Sequence, residues 1–254
     1  MPRRRRKLSP IDTYHVMLRG INYQQIFEEE LDYTKFLNIL RECREISQFS
    51  LYAYCLMGNH VHLLLSVKEE PLALCLKRIQ NRFVFWYNTK YDRIGSLFQG
   101  RYRSEPVLNE HGLLSVCRYI HQNPVKAGLS QNIEQYPWSS IHAYQGFCDE
   151  LTDISVISAC FPDSKAILDF LSQPSERLYL DIHPHKSIPV TDEKAKRIIF
   201  QLTECKNSSE FQKLDRSIRN ATIKELRKNG LSTYQINRLT GVSRALIYKI
   251  TKQS

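Results

Sequence analysis

No stretch of this 254-residue chain approaches the ~18 uninterrupted apolar residues of a membrane-spanning helix. The basic run Pro2-Arg3-Arg4-Arg5-Arg6-Lys7 has no apolar segment behind it, so a secretory signal is not expected. There is no CxxC pair and no other zinc-type spacing among the seven cysteines, at 43, 55, 75, 117, 148, 160 and 205. Most lie in apolar runs such as Tyr54-Cys55-Leu56 and Leu74-Cys75-Leu76, which fits buried free thiols in a reducing cytosol and excludes a disulfide-stapled mini-protein. Internal repeats are absent. The scarcer charge is the acidic one: 26 Asp and Glu stand against 36 Lys and Arg, a net charge of +10. That excess points to a polyanionic partner, nucleic acid first, with a merely solvated basic surface as the plain alternative. Hydrophobic residues make up 42% of the chain, enough to build a sizeable core over one or two domains and to exclude a disordered protein. A cytoplasmic, nucleoid-associated protein is the expectation.

Periodicity gives the order of elements. Tyr14 to Leu18 reads as a strand closed by Arg19-Gly20, and residues 31–47 carry Leu31, Phe36, Leu37, Leu40, Cys43 and Ile46 at helical spacing. Two β-rich runs, Leu51–Met57 and His60–Val67, flank Gly58-Asn59 as in a hairpin. Pro71 opens a helix with Leu72, Leu76, Ile79, Phe83 and Trp86 on one stripe. Arg101–Leu108 reads as a strand, and Glu110–Asn123 as a helix that stops at Pro124. Strand, helix, strand, strand, helix, strand, helix is the split βαβ, ferredoxin-like plan: an α+β fold with an antiparallel sheet and helices on one face.

The chemistry concentrates at two places. In His60-Val61-His62 the two imidazoles point the same way on a strand while Val61, Leu63, Leu65 and Val67 face the core. Such a pair can share a divalent metal and leave positions open for a third group, water and a phosphate oxygen. Alone, it reads as easily as two polar residues on a half-exposed face. In Arg118-Tyr119-Ile120-His121-Gln122-Asn123-Pro124, Tyr119 and Asn123 are one helical turn apart. Tyr119 could offer its phenol to a phosphate and Asn123 a carbonyl oxygen to a metal. Asn123 precedes proline, which disfavours helical backbone, so His121 is the other candidate for the third ligand.

Gly58-Asn59-His60-Val61-His62-Leu63-Leu64 resembles the His-hydrophobic-His (HUH) motif of the single-tyrosine transposases. Arg118 to Leu129 is similar to the nucleophile helix of the REP-associated tyrosine transposases, and His15-Val16-Met17-Leu18-Arg19-Gly20, Ile26-Phe27, Phe98-Gln99-Gly100-Arg101-Tyr102 and Pro137-Trp138-Ser139-Ser140 agree in order. The resemblance covers about residues 10 to 145. It implies an HUH enzyme that cuts and rejoins single-stranded DNA, with His60 and His62 on Mg or Mn, Asn123 as a third ligand and Tyr119 as the nucleophile. Cleavage would leave a 5′-phosphotyrosine and a free 3′-hydroxyl. Single-stranded DNA bearing hairpins is the implied substrate. Only one nucleophilic tyrosine stands in this helix, which disfavours a two-tyrosine replication initiator, and no glycine-rich phosphate loop accompanies it. Arg3 to Lys7, Lys77, Arg78, Arg82, Arg101, Arg103 and Lys126 are candidates for backbone contacts, and Tyr102 and Trp86 for stacking on an unpaired base.

A second unit follows. Residues 137–205 are mixed and mostly helical, with Pro184, Ser187 and Pro189 as a linker. Residues 216–229 read as a basic helix stopped by Gly230. Ser232-Thr233-Tyr234-Gln235 fits a capping box, Thr240-Gly241-Val242 a tight turn, and Ser243 the cap of a last helix. Its stripe is Leu246, Ile247 and Ile250, and Arg244, Ala245, Tyr248 and Lys249 point outward, as in a helix-turn-helix that reads duplex DNA. The expected division is a catalytic domain with its basic tail at 1–145, an extension and linker at 146–209, and the DNA-binding unit at 210–254. The competing reading is a domesticated, non-catalytic DNA-binding regulator. An RNA-binding protein on the same sheet would carry aromatics where the histidines stand. Monomer and homodimer are both compatible with the sequence.

Overall fold

A computed structural model describes residues 7–147, 149–175, 179–180 and 192–252. Strands β1 (Thr13–Arg19), β2 (Ser50–Met57), β3 (His60–Ser66) and β4 (Arg103–Pro106) form one antiparallel sheet in the order β2-β3-β1-β4. Helix α1 (Glu30–Ser47) joins β1 to β2, and α2 (Leu72–Lys90) joins β3 to β4, so the ferredoxin-like plan holds. The two-residue strand period sorts the side chains. Val16, Leu18, Leu56, Val61, Leu63 and Leu65 are buried on one face with Phe36, Ile39 and Leu40 of α1 and Leu76, Ile79 and Phe83 of α2. Leu31 and Ile46, expected on the buried stripe of α1, are exposed at its two ends.

The opposite face is covered as well. Ala53, Cys55, Met57 and Leu64 point away from α1 and α2, and the apolar stripe of α3 (Glu110–Lys126), with Leu113, Val116, Cys117 and Ile120, buries them. β2 is therefore apolar on both sides and needs two layers of cover. The expectation of helices on one face accounts for α1 and α2; α3 adds a third layer, and it carries Tyr119. Two single turns, α4 (Ile141–Tyr144) and α5 (Ser155–Ser158), lead to α6 (Ser164–Ser172), whose Ile167 and Leu171 extend this second cluster.

α3 does not end at Asn123. Pro124 has no N–H for the carbonyl of Ile120, but Asn123 Nδ2 donates to that oxygen at 3.5 Å and to Tyr119 O at 3.0 Å. The side chain bridges the gap in the ladder, and the helix continues to Lys126.

The C-terminal unit comprises α7 (Asp192–Thr203), α8 (Ser208–Lys213), α9 (Arg216–Lys228), α10 (Thr233–Thr240) and α11 (Arg244–Lys252). Its core takes in Ala195 and Ile199 of α7 with Phe211, Ile223, Leu226, Ile236, Leu239, Ile247 and Ile250, so it begins earlier than 210. α10 and α11 meet at Gly241, whose φ of 70° closes the turn. Ser232 Oγ accepts from Gln235 N at 3.0 Å and Ser243 Oγ from Leu246 N at 3.4 Å. Gln235 Nε2 donates to Asp192 Oδ1 instead of returning to the cap, so half of the expected capping box forms.

This unit is docked on the sheet domain. Gln25 N donates to Arg238 O at 3.1 Å, and Ser208 Oγ donates to Glu28 Oε1 at 2.8 Å. Among the described residues no helix is long and apolar enough to cross a membrane. Cys43, Cys55, Cys75, Cys117 and Cys205 are buried free thiols and Cys160 is partly exposed. The arginines at 3–6, Cys148 and the linker residues Pro184, Ser187 and Pro189 lie outside the described residues.

Candidate active site

The Gly58-Asn59 turn opens β3, and the strand period delivers His60 and His62 to the face under α3, with ring centroids 5.0 Å apart. His62 is fully buried and His60 partly so. Each ring is held through Nδ1. Asn59 Oδ1 lies 2.7 Å from His60 Nδ1, and His15 Nε2 lies 2.9 Å from His62 Nδ1 with the two rings stacked. In the tautomers that protonate both Nδ1 atoms, both Nε2 atoms present lone pairs. That donor set fits a divalent ion with further positions left for a substrate oxygen.

His15 is the residue that sequence reasoning missed. It is a fully buried polar side chain in a largely apolar strand. Its signal in the sequence was its place in the His15–Gly20 run that resembles the family; its relation to His62 depends on β1 pairing with β3. The same register puts Arg19 opposite His60, Glu105 opposite His15 and Arg103 opposite Met17, all on this face of the sheet.

α3 carries Tyr119 to the same place. Its ring centroid lies 5.8 Å from that of His62 and 5.7 Å from that of His15, edge-on to both. Tyr119 is 1% exposed. Tyr179 packs against it at 4.8 Å and against His15 at 5.7 Å. Lys126 Nζ sits 5.2 Å from the Tyr119 ring centroid and donates to Ser175 O at 2.7 Å. Tyr119, distant in sequence from His60 and His62, is thus a neighbour of the pair.

The candidate third ligands separate. Asn123 is buried one turn after Tyr119 and spends its amide nitrogen on the carbonyls of its own helix. His121 faces away from the pair: Nδ1 lies 3.0 Å from Cys117 O, Nε2 lies 2.9 Å from Ser140 Oγ, and the ring packs on Tyr144. Burial pushes its pKa down to about 4, so it is a neutral core histidine whose two ring nitrogens already meet Cys117 O and Ser140 Oγ.

Of the basic candidates, Arg101 and Arg103 are exposed at the start of β4, beside β1. Arg78 and Arg82 belong to α2 on the opposite side of the sheet. Arg78 holds Glu70 through two hydrogen bonds of 2.6 and 2.7 Å, which bring the Glu70 carboxyl down to about 2, and Arg82 pairs with Glu42. Their charges serve helix packing, and neither reaches the histidines. Tyr102 is buried in the first core and Trp86 packs against that core under Lys90, so neither offers a stacking surface. Arg244, Tyr248 and Lys249 are exposed on α11 as expected, with Leu246, Ile247 and Ile250 inward.

Residues 12–123 match the family described as "Transposase IS200 like". A Haemophilus influenzae Rd protein named as a REP-associated tyrosine transposase is 25% identical over 119 residues, which cover 42% of this chain and 68% of that one. The solved structure of a REP-associated tyrosine transposase bound to a REP hairpin shares the fold, with a TM-score of 0.51 at 17% identity over 61% of this chain and 96% of that one. A Deinococcus radiodurans protein described as a transposase aligns over 43% of this chain and 88% of its own at 20% identity, with a TM-score of 0.34. The matched interval runs from the start of β1 to Asn123 and contains His15, His60, His62 and Tyr119, so over that interval the sheet domain is similar to the IS200-like transposases.

Proposed function

We propose that this chain cuts and rejoins single-stranded DNA through a covalent bond between Tyr119 and a 5′-phosphate. The observation that carries the reading is the convergence of His60, His62 and Tyr119, from β3 and α3, with the Tyr119 ring 5.8 Å from that of His62. The Tyr119 phenol gives up its proton to solvent as its oxygen attacks the scissile phosphorus, the bond from phosphorus to the 3′-oxygen breaks, and that oxygen takes up a proton from solvent to leave as a 3′-hydroxyl. Attack of another 3′-hydroxyl on the phosphotyrosine releases Tyr119 and completes strand transfer. His60 and His62 would hold Mg or Mn through Nε2, with Asn123 Oδ1 as third ligand. Once bound, the ion supplies positive charge that polarises the phosphate and stabilises the negative charge of the transition state. Lys126 places a further cation beside the phenolate that the attack requires. Arg101 and Arg103 extend the positive surface along the sheet edge, where the DNA backbone would run.

A second reading, a regulator that binds DNA without cutting it, accounts for the docked C-terminal unit but gives Tyr119 and the oriented histidines no task. One assay separates the two. With Mn and a hairpin-bearing single-stranded oligonucleotide, the protein should form a denaturant-resistant adduct. Tyr119→Phe should abolish it and retain DNA binding, and the double variant His60→Ala, His62→Ala should lose cleavage. An adduct that persists in Tyr119→Phe would overturn the assignment.

A further inference from the structure

A cleft of about 620 Å³ lies where the C-terminal unit meets the sheet domain, within the ~300–1,000 Å³ of ordinary ligand clefts. Tyr23 and Gln99 stand on the sheet-domain side; Tyr234, Asn237, Arg244 and Tyr248 stand on the other. We infer that this cleft binds an unpaired stretch of the DNA substrate adjoining the phosphate that Tyr119 attacks, with α10–α11 and the loop after β1 as its two walls. The inference rests on the reading of the histidine–tyrosine site given above and names a second binding surface for the same substrate.

Four observations support it. The first is the nature of the walls. Tyr234 is 44% and Tyr248 55% exposed, and Tyr23 lines the opposite wall, so aromatic rings, each already paired with a cation (Arg244, Lys252 and Arg19 in turn), stand on both sides of the cleft, as a site for unstacked bases requires. The Arg244 guanidinium lies 4.4 Å from the Tyr234 ring centroid, and no carboxylate stands among the described lining residues, which suits a polyanion. The second is Asn237. It is 1% exposed yet lines the cleft; its Nδ2 donates to Val242 O at 2.7 Å, while Oδ1 has no partner among the described residues. A buried acceptor left in this way costs free energy unless a donor reaches it. Within DNA the only donors are the N–H groups of the bases, since phosphates and in-chain sugars carry none.

The third is continuity with the metal site. Asn59 donates from Nδ2 to Tyr23 O at 3.1 Å and meets His60 Nδ1 through Oδ1, so one side chain joins the cleft wall to a candidate ligand. Arg19, opposite His60 in the sheet, lies over the Tyr23 ring at 5.0 Å, and its carbonyl accepts from Gln99 N at 2.7 Å. The fourth is backbone geometry. Asn22 and Tyr23 adopt φ values of 53° and 63°, a left-handed pair that costs side-chain-bearing residues free energy and sets the loop that carries Tyr23 to the cleft. α11 presents the residues expected of a recognition helix, and its leading edge, Ser243, Arg244, Ala245 and Tyr248, lines this cleft.

The test uses the full chain in metal-free buffer with two labelled DNAs: a blunt hairpin, and the same hairpin with a single-stranded tail at its foot. Tyr248→Ala and Tyr23→Ala, on opposite walls, should each weaken binding of the tailed DNA about tenfold and leave the blunt hairpin unaffected. Arg244→Gln, on an exposed side chain, should act in the same direction without touching the body's loop. Equal losses on both DNAs, a loss confined to the blunt hairpin, or no loss at all would overturn the inference. These equilibria involve no cleavage, so they read the cleft even where the Tyr119 adduct fails to form. An intact adduct with unchanged tail binding would sink the cleft alone.

Discussion

His15 Nε2 and His62 Nδ1 face each other at 2.9 Å across the β1–β3 ladder, in a fully buried contact that governs which nitrogen of His62 keeps its lone pair. With His62 Nδ1 donating into His15, Nε2 of His62 is the free base; with the proton reversed, it is not. His15 is therefore a positioning residue for the metal site. His15→Ala should weaken Mn binding by about 10–100-fold, the usual cost of losing such an outer partner. Calorimetric titration of Mn without DNA measures this directly. His15→Gln, which can still accept from Nδ1, should recover part of the affinity, and unchanged affinity in His15→Ala would reduce the residue to packing.

Tyr119 is too well covered in this conformation for a phosphate to reach it. Tyr179 supplies part of the cover, edge-on to Tyr119 at 4.8 Å and to His15 at 5.7 Å. Removing one aromatic contact of this kind changes an energy by about 1 kcal/mol, which is about tenfold or less in rate. Tyr179→Ala should raise the rate of adduct formation on that scale, with Tyr179→Phe behaving like the parent. A slower Tyr179→Ala enzyme would mean that the ring holds the nucleophile in place instead of covering it.

The buried His121 makes stability depend on pH. Its pKa, held down to about 4 by burial, lies below the ~6.5 of an unfolded chain, so the unfolded state binds more protons between those values. Stability should be complete above pH ~6.5 and fall as the pH drops towards 4, by about 3 kcal/mol at most from this residue. Urea unfolding at pH 7 and pH 4.5 measures the slope. His121→Gln, which keeps a partner for Ser140, should flatten it while leaving metal affinity unchanged.

The strand period and the helical stripes made the order of elements and the positions of α1 and α2 legible, because each of those elements is apolar on a face that sequence spacing reveals. His60 and His62 were legible for the same reason. The third layer was not, since Ala53, Cys55 and Leu64 are apolar on the second face of β2 and β3 and nothing local says what covers them. Register, which sequence does not contain, was needed to bring His15 to His62. Asn123 misled about the helix end because its amide replaces the hydrogen bond that Pro124 cannot make. Arg78 and Arg82 looked like DNA contacts because their partners, Glu70 and Glu42, are 8 and 40 residues away.

Gly241 couples the α10–α11 turn to the body. At its φ of 70° a side chain is strained by about 1 kcal/mol, and a Cβ there would run into Gln212 Nε2. That nitrogen lies 3.3 Å from Thr240 O and 3.5 Å from Gln24 Oε1, so it ties the turn to α8 and to the loop that follows β1. Gly241→Ala should therefore cost about 2 kcal/mol in the C-terminal unit, the strain and the displaced amide together. Hydrogen exchange should show α10 and α11 opening more often while the amides of β1 and β3 stay protected. Binding of the tailed hairpin should weaken with it, because the cleft needs both walls in register. If exchange in α10 rises and tail binding holds, the two units do not share the DNA, and the cleft is a seam between them with no strand in it.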